Sequence, residues 1–167
     1  MSASWSTWGA DVAITDAGDI LSILEGSRAV AAAIPGMASA YVLTPTVGPD
    51  ALKLPAAMQH LSVQGVEPSE IDYSASQEIV DHYWLLDVLV ARSGDERGDV
   101  EAAAPFIPKV LKAYRENMAL GCAPVVHRSG PVSYQLVTVA LGADTYMAVR
   151  FVMRAHAKTG VTMAAGA

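Results

Sequence analysis

Residues 145–158, TYMAVRFVMRAHAK, alternate between two kinds of side chain. Successive residues of an extended chain point to opposite faces, so Met147, Val149, Phe151, Met153 and Ala155 share one side of a strand. Tyr146, Arg150, Arg154 and His156 share the other. The first side is a core face. The second places arginines four residues apart in a chain that is net acidic, and what that face meets bears directly on function.

A second stretch, HYWLLDVLVAR at 82–92, reads as the central strand of the same sheet. It sets Trp84, Leu86, Val88 and Val90 against Tyr83, Leu85, Asp87 and Leu89, and both faces are mostly apolar. A sheet with one wet face does not need that, so a helix of the chain or another subunit is expected to cover the second side. Upstream, DAGDILSILEGSRAVAAAIPG repeats Ile20, Leu24, Ala31 and Ile34 at helical spacing, with Asp16 or Asp19 as cap and Pro35-Gly36 as stop. SAYVL at 39–43 is a short strand. The three prolines between Thr44 and Pro55 make a loop or arm, and AAMQHLSVQGV a half-buried strand with Leu61 and Val63 inward. Residues 67–80 are polar and turn-rich.

Ser93 and Glu96 have capping-box spacing for a second helix, which Pro105 and Pro108 either kink or restart at Pro105; it carries Ile107, Val110, Leu111, Tyr114 and Met118 as its apolar stripe and closes at Gly121. Two strands joined at Gly142–Asp144 form a terminal hairpin. The order predicts one α+β domain over 1–167: a mostly antiparallel four- to five-stranded sheet packed by two helices. Residues 1–15 form an N-terminal extension, 16–158 the core and 159–167 a flexible tail. Trp84, Val88, Val110, Leu111, Phe151 and Met153 are the expected core.

Composition sets the function classes. At 167 residues the chain fits one core, and its 52% hydrophobic content includes no run near the roughly 18 apolar residues of a membrane span. The start, MSASWSTWGADVAIT, lacks the basic and apolar regions of a signal peptide, so a cytoplasmic location is expected. A net charge of −6 opposes capture of nucleic acid phosphates. The single cysteine, Cys122, excludes an internal disulfide and reads as a small buried hydrophobe.

No phosphate-binding loop, nucleotide glycine motif, nucleophile elbow or zinc helix occurs, and His60, His82, His127 and His156 lie far apart in the chain. Catalysis would need His82, His127 or His156 to converge on a carboxylate such as Asp87; solvated or core-satisfied histidines are the expectation. Neither Cys122 nor Ser129 nor Ser133 has a local activating partner. No catalytic, cofactor or metal residue is assigned.

The segments LSILEGSRAVAAAIPGMASAYVL, LPAAMQHLSV and HYWLLDVLVARSGDERGDVEAAAPFIPKVLKAYRENMALGCA, followed by the terminal hairpin, resemble the tail terminator (tail-to-head joining) proteins of long-tailed bacteriophages. The likeness spans roughly residues 18–158. It rests on the order of an IPG-like helix stop, a proline before an early strand, an aromatic-led LDVLV strand running into a Gly-Asp loop, and a helix ending in Leu-Gly. The extension carrying Trp5 and Trp8 and the proline-rich insertion depart from the pattern.

The resemblance implies a non-enzymatic, homohexameric ring in the tail-neck region of a virion, assembled in the host cytoplasm. Such a ring binds the last ring of tail tube protein, stops its polymerisation and meets a head-completion or connector protein; DNA passes through the lumen without specific binding. Another neck or tail tube protein is the alternative within the class, and a small-molecule-binding or enzymatic α+β domain the alternative outside it. In a ring, Tyr83, Leu85 and Leu89 are expected to meet a neighbour, and Arg150 and Arg154 to face the Asp95, Glu96 and Asp99 loop of the next subunit. Water is the competing partner for those arginines. Trp5 and Trp8 either fold back as a lid or dock on a partner ring.

Overall fold

A computed structural model describes residues 19–42, 52–61, 70–74, 77–122 and 125–160. Trp5, Trp8, most of the proline-rich insertion and the last seven residues lie outside this set. The chain runs α1 (Ile20–Ala32), β1 (Ser39–Val42), β2 (Ala56–His60), β3 (Glu70–Ser74), β4 (Gln77–Arg92), α2 (Glu96–Ala103), α3 (Phe106–Glu116), β5 (Val126–Leu141) and β6 (Asp144–Gly160). The fold is α+β, as the sequence predicts.

One six-stranded sheet has the order β1-β2-β4-β6-β5, with β3 paired to the lower half of β4. Among the described strands only β1–β2 is a parallel pair. The count exceeds the expected four or five because the polar stretch around 70–74 forms a strand: Glu70–Ser74 pairs with Gln77–Asp81, so an available strand edge overrides weak β-propensity. The last strand likewise extends through Gly160 rather than fraying at Thr159. The expected pattern around Leu61 is displaced, since β2 ends at His60 and Leu61 is exposed.

The helical layer covers one face. α1 lies over β1 and β2, α2 over β4 and β6, and α3 over β5. Asp19 caps α1 by accepting from the Ser22 amide at 2.7 Å, and Gly36 takes a φ of 90° where the chain turns away. The second helix breaks at Ala104-Pro105, as its proline dictates. Beneath the layer Trp84, Val88, Val110, Phe151 and Met153 are fully buried, together with Ile23, Leu24, Leu86 and Val149. Leu111 is 36% and Met118 46% exposed, a departure from the expected stripe: α3 buries its Phe106, Val110 and Tyr114 flank, with Ile107 and Ala113 packed partly against the core.

α1 also meets the loop after α3. A methyl group on Gly26 would overlap the backbone carbonyl of Leu120. Gly26→Ala gains about 1 kcal/mol of helix propensity but forces that packing apart, so a net loss of about 1–3 kcal/mol is expected. Urea midpoints measure it; an unchanged or raised midpoint contradicts the close approach.

Candidate interaction surfaces

The second face of the sheet is not a uniform arginine surface. At the end nearest the β5–β6 turn it is a second apolar core: Ala56, Met58, Leu89, Tyr146 and Ala148 are buried, with Leu52 and Leu54 packed against them from the segment before β2. Leu85 and Leu89 are 2% and 0% exposed. The expected role of these two as a neighbour-facing patch is therefore corrected: their burial is intramolecular. Tyr83, nearer the other end, is half-buried.

Asp87 stands at the boundary of this core, fully buried, opposite Arg150 in the β4–β6 ladder. Arg150 Nε donates to Oδ1 at 2.8 Å and Nη2 to Oδ2 at 2.7 Å, while His60 Nε2 lies 2.8 Å from Oδ2. Burial pushes the Asp87 carboxyl up, but hydrogen bonds and charge from Arg150 and His60 together hold it below its ordinary value. The same hydrogen bonding raises Arg150 against the opposing effect of burial. Arg150 is thus committed within its own subunit and does not await an acidic neighbour.

Further along the face, His156 Nδ1 lies 2.6 Å from Asp81 Oδ1. Asp87 meets His60 rather than His82, His127 or His156. No serine or cysteine among the described residues hydrogen-bonds His60 or His156. Among the described residues, no group of three metal-ligating side chains comes together.

A polar network lies inside the main core. Trp84 Nε1 donates to Gln59 Oε1 at 2.6 Å, Ser27 Oγ donates to the same oxygen at 2.9 Å, and the Tyr114 hydroxyl donates to the Ser27 carbonyl at 3.0 Å. Burial drives the pKa of the Tyr114 hydroxyl up to about 12, hydrogen bonding with Ser27 and Gln59 only partly opposing it. The network ties α1, β2, β4 and α3 together and is sealed from solvent. Cys122 is buried too, and burial followed by the nearby Asp19 charge pushes its thiol up, away from reactivity.

The acidic segment after β4 divides by role. Asp95, not Ser93, is the N-cap of α2, accepting from the Gly98 amide at 3.0 Å, so the expected Ser93–Glu96 box gives way to a cap two residues on. Asp99 is 6% exposed and accepts from Ser93 Oγ and the Gly94 amide at 3.2 and 3.3 Å. It too is spent within the subunit. Glu96 is exposed, as are Arg97 and Glu101, which pair at 2.9 Å, and Val100 beside them.

Arg154 shares no site with Arg150. It lines a cleft of about 250 Å³ between α3 and the β5–β6 pair, with Arg115, Arg128, Leu111, Met118 and Val132. Gly130 stands opposite Arg154 in the ladder and puts no side chain between that arginine and the cleft. No carboxylate is among the described lining residues, and none of the three arginines forms an ion pair with a described residue. The outer edge of β5 beside it has no partner strand among the described residues, and Val132, Tyr134 and Leu136 are 51%, 54% and 40% exposed there. The sequence singled out Arg154 but not the cleft, because Arg115, Arg128 and Arg154 come from three elements and Leu111 and Met118 read as part of the helix's apolar stripe.

No protein-family model matches the chain, and no curated protein does. No helix among the described residues is long and apolar enough to cross a membrane.

Proposed function

We propose that the chain is a structural subunit of the tail-terminator type, which assembles into a ring on the end of a phage tail tube, halts its growth and offers a face to the head connector. The observation that carries an assembly role is the β5 flank. The 16-residue β5 has an edge with no partner strand among the described residues, and Val132, Tyr134 and Leu136 are exposed there beside Leu111 and Met118, the character of a surface that a neighbouring subunit covers. The phage assignment rests on the resemblance of the segments between roughly residues 18 and 158.

Tail tube protein polymerised in the presence of this chain tests the reading. Tubes should stop at a limited length and carry an added ring at one end in electron micrographs. Tubes of unchanged length with bare ends would contradict it.

A further inference from the structure

The three-arginine cleft and the exposed start of α2 are complementary in charge and in apolar character. The cleft offers Arg115, Arg128 and Arg154 around Leu111, Met118 and Val132. The α2 start offers Asp95, Glu96 and Glu101 beside Val100, which is 38% exposed, with Arg97 the one cation among the described lining residues.

The two surfaces cannot meet within one subunit. Ser93, leading into α2, hydrogen-bonds Thr145 at one end of β6, whereas the cleft takes Arg154 from the same strand. About nine residues of extended strand separate them, ~30 Å at ~3.3 Å per residue. We propose that the cleft receives the acidic α2 start of a second copy of this chain, giving a head-to-tail contact. This inference rests on the assembly reading above and specifies which surfaces make the subunit boundary.

Two features favour side-chain docking here over strand addition. β5 is bulged between Val126 and Arg128 and again between Pro131 and Ser133, and Pro131 has no amide to donate, so this part of the edge is a poor template for another strand. The lining combines the three arginines with Leu111, Met118 and Val132, so an acidic segment bearing one valine answers both, whereas a simple anion answers only the charge. Because the patches differ, the contact is heterologous and repeats from copy to copy, closing a ring where the rotation allows. Charge pairs at such a boundary set register and encounter rate, and screening weakens those at its rim.

The test uses four full-length proteins in analytical ultracentrifugation, with circular dichroism as the fold control: wild type, R115E/R128E, E96K/E101K, and all four changes together. Arg115, Arg128, Glu96 and Glu101 are exposed, so the substitutions leave the core untouched. Each double variant should lose the assembled species of the wild type and sediment as a folded 17.5 kDa chain, and the quadruple variant should regain it. Assembly of R115E/R128E like the wild type would overturn this contact while leaving a ring through other surfaces standing. Loss of assembly in R115E/R128E without loss in E96K/E101K would show a different occupant and overturn it as well. So would a quadruple variant that stays monomeric. A wild type that never assembles would overturn both this contact and the assembly reading.

Discussion

Arg150→Ala should destabilise the folded subunit by about 3–5 kcal/mol, the range for stripping one partner from a buried ion pair. The loss arises chiefly at Asp87. Its side chain is fully buried, while Arg150 retains 27% exposure and could reach water alone. Without the bidentate guanidinium the carboxylate keeps only His60. Asp87→Leu combined with Arg150→Met should recover much of the deficit, because no charge is then buried without its partner.

The pH dependence has a definite sign. A carboxyl held below its ordinary value of 3.8 in the folded state contributes stability that is present above that value and disappears as pH falls through the folded one. The gap between wild type and Arg150→Ala should therefore be widest at neutral pH and narrow in acid, below the ordinary carboxylate value. Urea unfolding at neutral and acidic pH measures both. A neutral-pH deficit below about 1 kcal/mol would place the pair among weak surface bridges. An effect on assembly alone, with the fold intact, would return Arg150 to the subunit boundary.

Trp84→Ala should cost about 3–5 kcal/mol, since it empties the largest buried side chain beneath the helices. It also removes the indole donor to Gln59. Trp84→Phe separates these contributions. It preserves most of the volume, and Gln59 Oε1 still accepts from Ser27, so a loss of only about 1 kcal/mol is expected. Equal losses in the two variants, read from urea midpoints, would make the hydrogen bond rather than the packing the dominant contribution.

Alternation in 145–158 revealed the core face of β6 because a strand exposes its period directly: Met147, Val149, Phe151, Met153 and Ala155 are all buried. What alternation cannot reveal is the cross-strand neighbour. Asp87 and Arg150 lie 63 positions apart and meet only through the β4–β6 register, so the arginine looked outward-facing in the sequence. The same holds for Leu85 and Leu89, whose cover comes from their own chain. β3 was hidden by its Glu, Asp and Ser residues, which favour turns until a partner edge is present. Pro105, by contrast, marked the break between α2 and α3 locally, because a missing amide donor acts on its own helix. The cleft needed three elements brought together before its charge could be seen.

Mass photometry of the purified wild type combined with electron microscopy decides whether the chain assembles as proposed. A ring-forming subunit should give annular particles with a central hole and a mass of about 105 kDa, six copies of the 17.5 kDa chain. A 17.5 kDa species at every concentration, with no ring in any field of view, would contradict it.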